Sequence, residues 1–229
     1  MIRFNQYKPF KFNAKTIRNH KYDILNLGDW MYYIKTHYQS EIEINKSRFI
    51  AHLFPVETKD DVKSHIDQLK LEFPKANHYC HAAIIGEHGD LHIASDDGEP
   101  QKTAGVPILD VLKHHELTNV CLVVIRFFGG IKLGAGGLIR AYSKSAANVV
   151  LQIKRYEKKQ FDVFEISFGY HLIETIDQTF MQKATVTHKT FLDVVTYRLI
   201  FDQSESSLLE DIRHLLLDLK KLEPEIHFV

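Results

Sequence analysis

The chain has few cysteines and no long apolar stretch. Cys80 and Cys121 are its two cysteines among 229 residues, and no Cys-x-x-Cys pair occurs. Two cysteines cannot form the disulfide framework that stabilises small secreted domains. The longest apolar stretches, such as residues 120–125, fall far short of the roughly 20 residues that span a bilayer. No secretory signal is recognisable either, so the sequence predicts a cytoplasmic protein with no membrane partner.

The chain also lacks net charge, because 29 basic residues balance 29 acidic ones. The charges are nevertheless segregated. Residues 121–160 hold eight basic residues and one acidic residue, whereas residues 161–229 hold six basic and twelve acidic residues. Hydrophobic residues make up 45% of the chain, enough for a packed core. The pattern predicts two folded units with different surfaces.

The domain boundaries follow from where regular patterns start and stop. Residues 1–30 show no helical or strand period, and we interpret them as an N-terminal extension. Either Met31 is the natural start or the stretch is an ordinary N-terminal arm. A basic segment at residues 154–160 precedes a new strand pattern at Phe161. We therefore predict a first domain over residues 31–153, a linker over 154–160 and a second domain over 161–229.

The periodicity predicts mixed helices and strands in both units. In the first unit Thr58 is expected to cap a helix, and a near-continuous apolar strand is expected over residues 119–127. A helix over residues 138–153 follows. The second unit reads as strand, helix, strand, strand, helix, strand, over residues 161–170, 172–181, 184–190, 194–201, 206–219 and 225–229. That order is the ferredoxin-like pattern.

A glycine-rich segment connects the buried strand to the following helix. Its glycines are Gly129, Gly130, Gly134, Gly136 and Gly137. Glycine permits close backbone approach, and backbone N–H groups at a helix start can bind an anion. The segment is neither a Walker A motif nor a Rossmann fingerprint. Anion binding and a tight turn that merely needs small residues both remain open.

Four basic residues surround this segment. Arg126 and Lys132 lie beside the glycines, and Arg140 and Lys144 are four residues apart on the helix that follows. Such a stripe can follow a phosphate backbone, so these four residues are our candidates for nucleic-acid binding. The alternative is an ordinary solvated helix face.

Three carboxylates occur within four residues at Asp96, Asp97 and Glu99. They could hold Mg²⁺, orient a water molecule or recognise a partner. They could equally form the turn itself, because Asp side chains bind nearby backbone groups well. We favour a structural or recognition role over catalysis.

The sequence shows no recognisable metal site or nucleophile. His78, Cys80 and His81 are suitable residue types for a metal, but their spacing matches no zinc signature. No Gly-x-Ser-x-Gly elbow is present. We therefore expect no catalytic residue, no metal and no cofactor.

Three motifs resemble the YigZ/IMPACT family, and the resemblance extends over residues 47–150. They are Asp96-Asp97-Gly98-Glu99-Pro100, Thr103-Ala104-Gly105-Val106-Pro107 and the stretch from Val123 to Tyr142. One position departs from the family, which usually has Ser-Gly where this chain has Gln101 and Lys102. The substitution adds bulk and positive charge beside the acidic turn.

The resemblance implies a two-domain α+β fold. The N-terminal domain would be of the ribosomal protein S5 domain 2 type, similar to domain IV of elongation factor G. The C-terminal domain would be ferredoxin-like, similar to domain V of that factor. Eukaryotic IMPACT members regulate translation through protein partners, and the bacterial members look like RNA or ribosome binders.

Three functions compete at this point. The first is a non-enzymatic protein that binds RNA or the ribosome and regulates translation, with a possible protein partner. The second is an enzyme for a small phosphate compound that uses the glycines and the acidic turn. The third is a protein-interaction module whose acidic turn meets a basic partner. The basic stripe and the resemblance favour the first.

Overall fold

The computed structural model describes residues 31–180, 183–202 and 208–229, and the predicted extension at residues 1–30 lies outside them. Strands and helices are mixed throughout, so the predicted α+β class is confirmed. The strands form two separate five-stranded sheets.

The first half of the chain forms one sheet and three helices. In chain order these elements are β1 (Tyr32–Tyr33), β2 (Tyr38–Ile44), β3 (Ser47–Pro55), α1 (Lys59–Glu72), β4 (His78–Ile85), β5 (Leu91–Ser95), α2 (Gly105–His114), β6 (Val120–Phe127) and α3 (Gly134–Val150). The strand order is β2-β3-β6-β4-β5, with every pair antiparallel.

Alternation along the central strands creates two cores on opposite faces of this sheet. On β3, Phe49 and Leu53 face α2 and α3, whereas Ile50 and Phe54 face α1. The predicted strand at residues 119–127 is confirmed as β6, which is buried on both faces. The helices thus cover both faces of the sheet, and the functional groups are left to the connections at its ends.

Helix α1 begins as the sequence predicts. Thr58 accepts a hydrogen bond from the backbone N–H of Asp61, and Asp61 accepts one in return from the backbone N–H of Thr58. This reciprocal capping box satisfies backbone donors that the first turn leaves without partners.

The second half forms the other sheet. Its elements are β7 (Tyr156–Phe168), α4 (Ile173–Phe180), β8 (Thr185–Phe191), β9 (Val195–Asp202), α5 (Leu208–Asp211) and β10 (Asp218–Phe228). The order is β10-β7-β9-β8, with antiparallel pairing throughout. Its core includes Ile166, Phe168, Ile176 and Phe201.

Two predicted boundaries are wrong. Most of the predicted linker is strand, because β7 already begins at Tyr156. The predicted helix at 206–219 is reduced, in the described residues, to α5 and one turn at Arg213–Leu215. A run of leucines there mimics a helical period, but β10 pairs along β7 from Asp218 onward and that pairing prevails over the local pattern.

The short strand β1 joins the two halves. Tyr32 and Tyr33 pair with Glu157 and Tyr156 at the start of β7. Tyr32 also accepts a hydrogen bond from the N–H of Thr118 in the first half. Tyr33 is buried, and its ring meets the ring of Phe228 edge to face at 5.2 Å. The first half therefore contributes a strand to the second sheet.

Stacked rings line the face of the first sheet that α1 covers. The His37 ring stacks on Phe54, and Phe54 stacks on His65 of α1. Nε2 of His37 lies 3.1 Å from Nδ1 of His52, whose side chain is buried and whose Nε2 has no hydrogen-bond partner. Burial, together with the neighbouring His37, lowers the pKa of His52 to about 4.

The low pKa of His52 predicts that acid lowers the free energy of unfolding. Its pKa is depressed in the folded protein, so between pH 6.5 and 4 the unfolded chain binds a proton that the folded chain does not. The free energy of unfolding should be unaffected by His52 above pH 6.5 and should fall by about 2 kcal/mol at pH 5. Urea titrations at pH 7.5 and pH 5 measure this loss.

The variant His52→Gln should lose less stability on acidification than the wild type, whatever its stability at pH 7.5. His88→Gln is the control, because it also removes one histidine but from an exposed position on a turn. Equal losses in all three proteins would contradict the assignment to His52.

Candidate functional site

Three segments meet at one end of the first sheet. They are the start of β4, the turn from Asp96 to Lys102 between β5 and α2, and the connection from Phe128 to Leu133 between β6 and α3. The sequence-predicted turn and glycine segment are thus brought together. The sheet register places them, because His78 on β4 lies directly opposite Arg126 on β6.

Arg126 is buried, and this differs from its predicted place on an exposed basic face. Along β6 its side chain is in phase with Leu122 and Val124, which face α2 and α3. The alternation of the strand therefore turns the guanidinium inward. That phase is readable in the sequence and would have separated Arg126 from the other three basic residues.

Glu99 is the partner of Arg126. Its side chain is 4% exposed, and Oε1 lies 2.5 Å from Nη1 of Arg126. Tyr142 of α3 donates a hydrogen bond to the same oxygen at 2.8 Å. A buried charge is tolerated when it is paired and hydrogen-bonded, and here both conditions hold. Glu99 therefore links the turn, β6 and α3, and it does not project outward as a recognition residue.

Cys80 and Tyr142 extend this network into the core. The Cys80 thiol lies 3.3 Å from the Tyr142 hydroxyl and 2.9 Å from the carbonyl oxygen of Asp96. Burial raises the pKa of the Cys80 thiol and of the Tyr142 hydroxyl. Both groups are neutral at physiological pH, so neither is an activated nucleophile.

The two aspartates of the turn bind backbone groups. Asp96 accepts hydrogen bonds from the N–H groups of Lys102, Ala104 and Gly105, at the start of α2. Burial raises the pKa of Asp96, but these backbone donors outweigh burial and the net shift is downward. Asp97 accepts from the N–H of Tyr79 at 2.6 Å. Both aspartates therefore hold the turn together, and a recognition role for them stays a prediction.

The glycines divide between the connection and the helix. Gly134, Gly136 and Gly137 belong to α3, which starts four residues earlier than predicted because packing of its buried face outweighs the low helix propensity of glycine. Gly129 lies so close to Lys46 that a side chain would overlap the Lys46 backbone. Gly130 takes a φ of +83°. At least two glycines are therefore needed by the turn itself.

The start of α3 has open backbone donors. Leu133 occupies the N-cap position and makes no side-chain hydrogen bond to the first turn. The first N–H groups of a helix have no partners within the helix, and they carry its positive end. Anion binding by this segment stays a prediction, and the backbone donors that it would use are those at the N-terminus of α3.

A pocket of about 360 Å³ opens at this point. Its walls are largely apolar and include Pro100, Phe128, Leu133 and Leu138. His78, Glu99 and Arg126 also line it. The pocket therefore joins the buried ion pair to the helix N-terminus.

The remaining basic candidates are exposed. Lys132 lies on the pocket rim, and Arg140 and Lys144 follow along α3. No salt bridge reaches any of these three from the described residues. They form a basic face, which we define as Lys132, Arg140 and Lys144.

In the part of the chain that the structure describes, no group of three or more His, Cys, Asp or Glu side chains is arranged to hold a metal ion. Within the same residues, no helix combines the length and apolar character needed to cross a membrane.

The chain matches known proteins over its first half. Residues 45–150 match the model of the Impact N-terminal domain. The IMPACT family member YvyE of Bacillus subtilis is 46% identical over 139 residues, 61% of this chain and 64% of YvyE. The IMPACT family member YigZ of Escherichia coli is 34% identical over 137 residues, 59% of this chain and 67% of YigZ. The match to YvyE thus spans less than two thirds of that relative.

Solved structures extend the likeness to both halves. A crystal structure of a hypothetical protein aligns with 85% of this chain and 97% of its own, at 28% identity and a TM-score of 0.55. The two-domain translational regulator Yih1 aligns with 62% of this chain at 21% identity, but its TM-score of 0.32 is too low to carry an argument.

The fold and the site define an α+β protein in which a glycine-rich connection and an acidic turn meet around a buried Glu–Arg pair. The chain belongs to the IMPACT family, as its motifs had predicted.

Lys102 stands where the family usually has glycine, and its backbone conformation is one that favours glycine. Lys102 takes a φ of +62°, in the left-handed region where glycine is favoured. Lys102→Gly should therefore raise the free energy of unfolding by about 0.5–1 kcal/mol. This is the net effect, in which the relief of the left-handed strain exceeds the extra conformational entropy that glycine loses on folding. Gln101→Gly is the control and should destabilise, because Gln101 has no positive φ. The same sign of change in both variants, measured by urea unfolding, would contradict the strain at Lys102.

A further prediction concerns the buried pair of Glu99 and Arg126. Glu99→Ala or Arg126→Ala should each cost about 3–5 kcal/mol, because each leaves an uncompensated buried charge. Removing both charges together, in Glu99→Ala with Arg126→Ala, should cost less than the sum of the single changes, because neither charge is then left unpaired. A double-mutant cycle by urea unfolding measures the coupling, and additive losses would show that the pair does not act as a unit.

Proposed function

We propose that this protein is a non-enzymatic regulator of translation that binds RNA or the ribosome through its basic face. The observation that carries the proposal is the continuity of that face with the N-terminus of α3. Lys132, Arg140 and Lys144 are exposed, and the first-turn N–H groups beside them lack a side-chain cap. Side-chain cations and helix N-termini are the groups that contact nucleic-acid phosphates.

Membership of the IMPACT family supports the link to translation, since eukaryotic members were recognised above as translation regulators. The fold supports it at a finer level. In the order β10-β7-β9-β8, the fourth strand of a β-α-β-β-α-β chain lies beside the first, and the third lies between the first and the second. We therefore assign the second half to the ferredoxin-like class, similar to domain V of elongation factor G. We assign the first half to the S5 domain 2 type. A cytoplasmic location fits this function.

A phosphate enzyme is less well supported by the site. The carboxylates that would hold Mg²⁺ are already engaged, because Asp96 and Asp97 bind backbone N–H groups and Glu99 binds Arg126. The Cys80 thiol beside them is buried and neutral. The site offers positive groups for binding, and its acidic groups hold the turn together.

The basic face is tested by the double variant Arg140→Ala with Lys144→Ala. It should weaken binding to single-stranded RNA of several sequences and to ribosomes in co-sedimentation. The plot of log affinity against log salt should become shallower by about 0.7 for each lost phosphate contact. The free energy of unfolding should change by less than about 1 kcal/mol, because the side chains are exposed.

The matched control is Lys59→Ala with Lys63→Ala. These lysines are also exposed and four residues apart, but they lie on α1, across the sheet from α3. This pair removes the same charge and should leave binding nearly unchanged. If both double variants lose affinity and salt dependence equally, only net charge matters and the proposed face is wrong.

A further inference from the structure

The pocket between Pro100 and α3 is small, and its floor is an ion pair. Ligand pockets run from about 300 to 1,000 Å³, and this one lies at the lower limit with about 360 Å³. Its walls are apolar, whereas Glu99 and Arg126 at its floor are almost fully buried. The dimensions suit a single flat ring system with polar edges.

Among the described residues, two polar atoms of the floor make no hydrogen bond, and only one of them, Nε of Arg126, is fully buried. Both hydrogen bonds to Glu99 from the described residues go to Oε1, so Oε2 is left as a free acceptor. Nε of Arg126 is buried without a hydrogen-bond partner. Buried polar groups without partners are rare because leaving them unpaired costs free energy. A ligand that donates to Oε2 would complete the carboxylate.

His78 and Asn77 add to this pattern at the side of the pocket. Nδ1 of His78 lies 2.8 Å from the carbonyl oxygen of Asp97, so Nδ1 donates there and Nε2, 3.8 Å from Oε1 of Glu99, is the ring nitrogen that a ligand can meet. The Asn77 side-chain oxygen accepts from the N–H of Phe128, which leaves its NH₂ group as a donor. The polar edge of the pocket thus offers two acceptors, Oε2 of Glu99 and Nε2 of His78, and one donor, the NH₂ group of Asn77.

The rim of the pocket is aromatic and basic. Phe128 is 45% exposed and lines the opening. Lys132 lies on the same rim, and Lys46 and Lys102 are exposed on the adjoining turns. This charge disfavours a cationic side chain from a protein partner and favours a polyanion. Exposed aromatic rings beside cations are the usual means of holding single-stranded bases.

We propose that this pocket takes one unpaired base of a bound RNA, with the base stacked on Phe128 and its edge hydrogen-bonded to Glu99 and His78. Guanine matches the floor best, because one of its edges presents two donors and one acceptor. The inference rests on the proposed function, since the basic face would hold the phosphates of the same strand. The pocket would let the protein recognise a base, whereas the basic face contacts only phosphates and cannot distinguish one base from another.

The test uses three eight-nucleotide RNAs: one of uridines only, one with a guanosine at position four, and one with an abasic ribose at that position. Fluorescence anisotropy across a salt series gives the affinity and the salt slope for each. The wild type should bind the guanosine RNA at least about 5-fold more tightly than the abasic RNA, since stacking of one base contributes that much or more. The salt slopes of the two should be equal, because the phosphates are the same.

Two variants place the effect in the pocket. Phe128→Ala should lose the preference for the guanosine RNA and keep the salt slope, because it removes the stacking ring but no charge. Ala135→Trp should have the same effect, because Ala135 is exposed and lines the pocket, so that a larger side chain there fills the opening. Phe191→Ala is the matched control, because Phe191 is also exposed but lies on β8 in the second half. Its preference should equal that of the wild type.

The outcomes separate the two proposals. Binding of all three RNAs with equal affinity would overturn the base pocket and leave the basic face standing. No binding of any RNA or of ribosomes would overturn both. A backbone amide shift at Gly134 and Ala135 with N-acetylarginine amide, and none with guanosine monophosphate, would assign the pocket to a protein side chain and overturn the base.

Discussion

The bond between Glu99 and Arg126 joins two connections that are 27 residues apart in the chain. Glu99 belongs to the turn before α2, Arg126 lies one residue before the end of β6, and Tyr142 of α3 binds the same oxygen atom of Glu99. Because an unpaired charge at this depth would be costly, the pair makes the position of each connection depend on the others. The glycines beside Arg126 then bring the β2–β3 turn into the same assembly, through the close approach of Gly129 to Lys46.

This arrangement leaves polar groups pointing in two directions. The acidic side chains turn inward, where they bind backbone N–H groups or Arg126, and the remaining cations lie outside. A chain with no net charge can thus present a basic surface, because surface potential depends on where charges are placed. Between the inner and outer groups lies the apolar pocket, whose floor is the ion pair and whose rim is basic.

The sequence predicts the fold well wherever the local pattern agrees with packing. The capped helix α1, the buried strand β6 and the α+β class all follow from periodicity and capping residues. The sequence is less informative where distant pairing decides, because the leucines at residues 208–219 suggest one long helix, whereas β10 begins at Asp218 and pairs with β7. The sequence singles out the acidic turn and the glycine segment, which the structure places side by side, but it does not reveal the partner of Arg126, since a contact across 27 residues leaves no local signal.

The strand β1 ties the order of folding to the order of synthesis. Its hydrogen bond to Thr118 belongs to the first half, while its partners on β7 lie about 120 residues further along the chain. At about 5–20 residues per second, a ribosome makes β7 roughly 6–25 seconds after β1. Helix α3 ends only six residues before β7 begins, but Glu116 and Thr118, which bind β1, are made about 40 residues before β7. The groups that hold β1 thus precede its partner strand in synthesis, and the first half contributes β1 to an edge of the second sheet.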